Sequence, residues 1–220
     1  MRGPPDFKTR RERLVESLKR EGYIKSAEVE KAFLAVPREE FVTEDNRSYC
    51  YADNPLPILC GQTISAPSMI AIMLEEAELK HGMKVLEIGT GSGYNAALLA
   101  EMVGQENVVS VERFPDLVEW GKGNLKRAGY EAVKVVLGDG TLGWESDAPY
   151  DCVMATAGAP RIPPAWIIQT KVGGKIIAPI GKSHFTQTLA IATRLQTEDV
   201  DIRWGTPCAF VPLIGAEGWR

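Results

Sequence analysis

Residues 84–94, Lys-Val-Leu-Glu-Ile-Gly-Thr-Gly-Ser-Gly-Tyr, set three glycines at alternate positions between an apolar run and a helical pattern. Val85 to Ile88 reads as a buried parallel strand, Gly89, Gly91 and Gly93 break it, and Asn95-Ala96-Ala97-Leu98-Leu99-Ala100 opens a helix. A strand, a tight turn and a helix in that order commit the chain to a βα unit. Glycine tolerates positive φ and lets a ligand approach the backbone closely. In open α/β sheets, ligands occupy the crevice at the carboxyl ends of the strands.

The turn's spacing narrows the ligand. A phosphate loop carries Gly-Lys-Ser/Thr and a dinucleotide fingerprint reads G-x-G-x-x-G, whereas this turn is G-x-G-x-G with no Lys or Arg between Val85 and Leu99. Acids stand where phosphate contacts are missing. Glu87 precedes the glycines, and Glu112 ends the run Val108-Val109-Ser110-Val111 about 20 residues on, where a ribose-binding carboxylate belongs. Asp139, in Gly138-Asp139-Gly140, follows the strand-like run Val133 to Leu137. Three carboxylates at strand ends suit a ligand with ribose hydroxyls, an adenine amino group and positive charge but no phosphate. That describes S-adenosylmethionine better than NAD. The glycine turn by itself is equally a plain strand-to-helix connection; Glu112 and Asp139 tip the reading to a nucleotide-type site.

Of 220 residues, 45% are hydrophobic and 25% charged, with a net charge of −4, which argues against a protein that grips nucleic acid chiefly through phosphates. No run approaches the roughly 20 apolar residues of a membrane span. Met1-Arg2-Gly3-Pro4-Pro5-Asp6 has no apolar stretch after it and does not read as a secretory signal. Cys50, Cys60, Cys152 and Cys208 form no C-x-x-C pair, and with only His81 and His184 beside them no metal site is expected. The expectation is a reducing, cytoplasmic compartment.

In chain order, residues 7–21 place Leu14, Val15 and Leu18 at helical spacing and end at Gly22. A second helix runs from Ser26, an N-cap candidate, to the stop at Pro37. Residues 38–65 lose all period, yet are rich in aromatic and apolar residues, so an ordered segment beside the crevice is expected. Ala66 to Leu79 reads as a helix, for which Ser65 is either the N-cap or a functional hydroxyl. Strands at 84–88, 107–111 and 133–137 alternate with helices at about 93–103 and 115–128, which implies a parallel sheet. Tyr150 to Ala155 and Lys175 to Ile180 add two strands, with a short helix from Pro164 to Thr170 between them. Thr188 to Leu195 and Cys208 to Ile214 read as two more, antiparallel at the edge. One domain over 1–220 is expected, with 1–80 as helical cap and substrate segment and 81–220 as cofactor core.

The fourth strand ends in Ala155-Thr156-Ala157-Gly158-Ala159-Pro160, without the Asn/Asp-Pro-Pro-aromatic turn of nucleic-acid amino methyltransferases. No obvious base is present to deprotonate an amine or alcohol. A carboxylate needs none, being ionised at neutral pH. The protein then has only to position acceptor and cofactor. The Thr63 and Ser65 hydroxyls are candidates to hold an acceptor carboxylate.

Several stretches together resemble the protein-L-isoaspartate (D-aspartate) O-methyltransferase family. They are Pro55-Leu56-Pro57-Ile58 with Gly61-Gln62-Thr63-Ile64-Ser65-Ala66-Pro67, Val85 to Tyr94, Gly138-Asp139-Gly140, Tyr150-Asp151 with Ala157-Gly158-Ala159-Pro160, Gly173-Gly174-Lys175 through Pro179-Ile180-Gly181, and Phe210-Val211-Pro212-Leu213. The resemblance implies a Rossmann-like class I methyltransferase fold, a seven-stranded, mostly parallel sheet with added N-terminal helices. It implies methyl transfer from S-adenosylmethionine to the α-carboxylate of L-isoaspartyl residues in damaged proteins, S-adenosylhomocysteine being the other product. The ester then closes to a succinimide that reopens in part as aspartate. It puts the active-site serine at Ser65, with Thr63 and Ile64 beside it on the substrate. It puts cofactor contacts at Glu87, Gly89, Gly91, Glu112, Asp139 and Gly140, with Ile88, Thr90, Ser92, Gly93 and Arg113 completing that set. Ser68, where many members have His or Tyr, and Cys60, where many have Gly, depart from the pattern. Three alternatives stand beside this reading: a methyltransferase of small-molecule acids or hydroxyls, a non-catalytic S-adenosylmethionine-binding domain, and, least favoured, a dehydrogenase.

Overall fold

The computed structural model describes residues 6–183, 185–196 and 199–219. The opening residues 1–5 and His184 lie outside them. Among the described residues nine strands and six α-helices follow one another as α1 (Phe7–Arg20), α2 (Ala27–Ala35), β1 (Leu56–Pro57), β2 (Thr63–Ile64), α3 (Pro67–Ala77), β3 (Val85–Ile88), α4 (Tyr94–Val103), β4 (Val108–Glu112), α5 (Pro115–Arg127), β5 (Lys134–Leu137), β6 (Tyr150–Ala155), α6 (Pro164–Gln169), β7 (Thr170–Ile180), β8 (Gln187–Arg194) and β9 (Val200–Cys208).

β3 to β9 form one seven-stranded sheet in the order β5-β4-β3-β6-β7-β8-β9. β3 runs parallel to both β4 and β6, β4 to β5, and β6 to β7, while β8 is antiparallel to β7 and to β9. The chain builds outward from β3 in one direction through β5, then returns to its other side at β6. That reversal opens a crevice at the carboxyl end of β3.

The central strands read as unbroken apolar runs because both faces of the sheet are covered. Val85, Val108, Cys152, Met154 and Ile177 face a core that also contains residues of α1 to α5. Leu86, Ile88, Val109, Val111, Val153 and Ala155 face the opposite core, with fully buried Trp166 of α6. Side chains alternate faces along a strand, so Glu87 and its register partner Ser110 share the first face.

The helices begin where their capping chemistry allows. Asp6 accepts the Thr9 N–H at 2.8 Å, and Ser26 accepts that of Val29 at 3.3 Å. α5 opens on Pro115 and closes on Lys126 and Arg127, which suit the negative end of its dipole.

The last strand differs from expectation. The outer edge of the sheet is Val200–Cys208, whose Val200, Ile202 and Trp204 alternate with Asp201 and Arg203, and the apolar run after Cys208 is not a sheet strand. Residues 209–214 instead cross the carboxyl ends of the strands, making single bridges from Pro212 to Gly158 and from Ile214 to Trp219. Phe210 and Leu213 are buried there and Val211, Pro212 and Ile214 half-buried, which is why the run mimics a strand. Residues 38–65 are ordered, built from short 3-10 turns and the β1–β2 ribbon.

Candidate active site

The glycine turn sits where β3 ends. Gly89 has φ +93°, and a Cβ there would stand 2.7 Å from Thr156 Oγ1, so the position admits no side chain. Gly91 also has positive φ, and its N–H donates to Glu112 Oε2 at 2.9 Å. The other Glu112 oxygen accepts the N–H groups of Arg113 at 2.7 Å and Phe114 at 3.0 Å. One carboxylate thereby fixes the turn to the end of β4.

The crevice above this turn encloses about 630 Å³, including its open mouth. Of the residues expected at the cofactor, Ile88, Gly89, Gly91, Glu112, Arg113 and Gly140 line it. Glu87, Thr90, Ser92, Gly93 and Asp139 do not. Glu87 lies one layer down with no exposed surface, accepting from Asn95 Nδ2 at 2.8 Å and from the Ser110 hydroxyl, which also pairs with Thr90 Oγ1. Burial pushes its pKa up to about 7 against the pull of those two hydrogen bonds, with Glu112 adding to the rise. Ser92 and Gly93 lead into α4, where the Ser92 carbonyl accepts from Asn124 Nδ2 at 2.9 Å.

Asp139 is held by its own turn and by Ala216, just past the segment that roofs the crevice. Its oxygens accept the Thr141 N–H at 2.9 Å, the Thr141 hydroxyl at 2.7 Å and the Ala216 N–H at 2.8 Å. Burial alone would raise this carboxyl, but the Ala216 and Thr141 hydrogen bonds and the Arg113 charge hold it below the usual carboxylate range. Gln62, Phe114, Thr156 and Val211 to Ile214 also line the crevice and were not among the residues expected at the cofactor. Only the odd placement of Pro212 inside an apolar run signalled that the last of these leave the sheet.

Beside the crevice is a second pocket of about 520 Å³, also counted to its mouth, with Thr63, Ser65, Met69, Thr156 and Phe210 in its walls. Ile64, between the two hydroxyls, turns inward and is 4% exposed. Ser65 does not cap α3. The N-cap position is Ala66, and Asp53 reaches across to accept the Ser68 N–H at 2.8 Å. The Ser65 hydroxyl therefore has no capping duty that would explain it.

Ser65 is fixed through its backbone by a residue the sequence did not flag. Arg38 is completely buried and donates from Nε to the Cys50 carbonyl and from Nη2 to the Ser65 carbonyl, both at 2.8 Å. Its guanidinium lies 4.8 Å from the ring centre of Tyr94, the first residue of α4, while Nη1 finds no hydrogen-bond partner. Nearby, Tyr51 donates to Glu39 and accepts from Arg11 Nε at 2.8 Å, and Arg11 and Glu39 pair at 3.1 Å. These side chains lash the aperiodic segment to α1 and to the cofactor turn.

No His/Cys/Asp/Glu cluster able to hold a metal occurs among the described residues, and no helix there is long and apolar enough to cross a membrane. The crevice fits S-adenosylmethionine by its own chemistry: apolar walls, a backbone turn open to close approach, the Glu112 carboxylate and, among the described residues, no lysine.

A family model described as protein-L-isoaspartate(D-aspartate) O-methyltransferase matches residues 9–218. The chain is 51% identical over 215 residues to the protein-L-isoaspartate O-methyltransferase of Pyrococcus abyssi, covering 98% of this chain and 99% of that one. It is 53% identical over 208 residues to the protein of the same description from Pyrococcus horikoshii, with 94% of each covered. A solved protein-L-isoaspartate O-methyltransferase superposes with a TM-score of 0.86 at 37% identity, covering 94% of this chain and 67% of that one. A Plasmodium falciparum structure, described as a protein-L-isoaspartate O-methyltransferase in complex with S-adenosyl-L-homocysteine, gives 0.82 at 29%, covering 96% and 99%. Matched nearly end to end in sequence and in fold, the chain belongs to the protein-L-isoaspartate(D-aspartate) O-methyltransferase family.

Proposed function

We propose that this chain transfers a methyl group from S-adenosylmethionine to the α-carboxylate of L-isoaspartyl residues in proteins and peptides, as a first step of repair. The observation that carries the reading is the acceptor pocket's lack of a base. Among the described residues the one ionisable side chain in its walls is Cys208, whose thiol burial pushes up to about 11. An acceptor that had to lose a proton at neutral pH finds no group to take it among the described residues of that wall. A carboxylate arrives ionised.

S-adenosylmethionine supplies an electrophilic methyl, which the acceptor oxygen takes as the carbon–sulfur electron pair returns to sulfur. The chain's task is placement. Glu112 accepts ribose hydroxyls, Gly89, Gly91 and Gly140 admit the ligand to the backbone, and Ile88 and Arg113 wall it in. Glu87 carries negative charge beneath the turn when ionised, and Asp139 holds the roof. Thr63 and Ser65 donate to the acceptor carboxylate, and Ile64 anchors the ribbon between them. The methyl ester then closes to a succinimide that opens in part to aspartate, with no further group from the protein.

The reading takes 1–220 as one domain, with 1–80 serving the acceptor and 81–220 the cofactor. It places the enzyme in the cytoplasm, where unpaired cysteines such as its four are at home. Its partners are damaged proteins rather than nucleic acid or membranes. The test compares an isoaspartyl peptide with the same peptide carrying the α-carboxamide. Methylation of the acid alone is expected, and equal methylation of the amide would overturn the reading.

A further inference from the structure

The cofactor crevice and the acceptor pocket share two residues, Thr156 and Val211. These two side chains therefore stand between the cavities, and Thr156 is the polar one. It follows β6 directly, and its N–H donates to the Ile88 carbonyl at 2.9 Å. Its hydroxyl donates to the Gly89 carbonyl at 2.7 Å, with the Ile88 carbonyl farther off at 3.1 Å. The hydroxyl occupies the space a Cβ would need at Gly89. With its one hydrogen committed to a carbonyl, Oγ1 presents only lone pairs to its surroundings.

We propose that Thr156 is a catalytic residue. Its Oγ1 accepts a C–H···O contact from the sulfonium methyl and aims that methyl at the acceptor carboxylate held by Thr63 and Ser65. Methyl hydrogens on a sulfonium carry partial positive charge, and a fixed lone pair at the junction of the cavities is complementary to them. The bond pattern sets the polarity. A hydroxyl free to turn its hydrogen toward the methyl would repel it, whereas the Gly89 carbonyl keeps that hydrogen turned away. Glycine at 89 is thus required twice, for its own φ and for the space in which Oγ1 stands.

This inference rests on the methyl-transfer reading above, and its test separates the two. Thr156→Val keeps the shape and removes the oxygen, while Thr156→Ser keeps the oxygen. With wild-type enzyme, carbon-13 methyl-labelled S-adenosylmethionine gives a methyl proton resonance in the binary complex that needs no acceptor. The contact predicts a downfield resonance in the wild type and in Thr156→Ser, moved upfield in Thr156→Val. It also predicts a loss of about fivefold in kcat for the valine variant, the size of one weak C–H···O contact. Peptide KM and cofactor Kd stay within about twofold, and the serine variant keeps most activity. An unmoved methyl resonance in Thr156→Val would overturn the proposal. So would a loss appearing in cofactor Kd instead of kcat, since the hydroxyl then only braces the turn. A wild type that binds cofactor but methylates no isoaspartyl peptide would refute the function while the resonance still judged the contact.

Discussion

The cofactor turn and the acceptor segment are neighbours built by opposite means. Residues 85–112 are held by backbone ladders: β3 is hydrogen-bonded on both sides, in register with β4 and β6, and buried on both faces. Residues 38–65 have little ladder beyond a two-residue ribbon and rely on a few side chains, Arg38, Asp53 and the Arg11–Tyr51–Glu39 group. Backbone periodicity fixes the first site, whereas individual polar side chains, from buried Arg38 to exposed Asp53, fix the second. Single substitutions should therefore separate acceptor handling from cofactor binding more readily in the segment than in the turn.

Gly89→Ala presses hardest on the turn. The new Cβ would overlap Thr156 Oγ1 at a φ of +93°, and cofactor affinity is expected to fall by about 100-fold or more by calorimetry. Glu87 gives a test on the same side through pH. Its native carboxyl titrates near 7, against about 4.5 when unfolded, so the native state holds the extra proton between those values. Stability is then lost as pH rises from about 4.5 through 7, by an amount of order 3 kcal/mol. Glu87→Gln should flatten that slope in denaturant titrations across the window, and an unchanged slope would remove Glu87 as its source.

On the segment side, Arg38→Met deprives the Cys50 and Ser65 carbonyls of their donors. We expect kcat/KM for an isoaspartyl peptide to fall about 30-fold, with cofactor Kd within about threefold. An equal loss in both would erase the contrast between the regions. A smaller effect on this side is expected for Ser65→Ala, about tenfold in kcat with normal cofactor affinity, from loss of one hydrogen bond to a charged acceptor. Unchanged kinetics would remove Ser65 from the site.

The same contrast explains what could be read without coordinates. Strand, turn and helix around Gly89, and the acids at the strand ends, are written in periodicity and spacing, and Glu112 stands where the spacing put it. Spacing does not report depth. It placed Glu87 and Asp139 at the right strand ends but could not show that one is sealed under the turn and the other engaged by Ala216. Nor does charge announce burial: Arg38 reads as a solvated arginine until Cys50, Ser65 and Tyr94 are found around it. The run 208–214 misled because burial under a sheet and burial across its end select the same residues, while Val200–Cys208 hid an edge strand behind alternating charge. In the Gly-Gln-Thr-Ile-Ser-Ala-Pro stretch the hydroxyls of Thr63 and Ser65 could be named as candidates from the chemistry, but the choice of Ser65 came only through resemblance, since its placement is set by contacts distant in sequence.

The most direct measurement is transfer of labelled methyl from S-adenosylmethionine to two synthetic peptides that differ only in carrying L-isoaspartate or L-aspartate at one position. Base-labile label on the isoaspartyl peptide alone is the expected result, since it reports both a carboxyl ester and selection of the displaced α-carboxylate. Equal label on both peptides, or label that resists base, would contradict a site built to hold that carboxylate without a base.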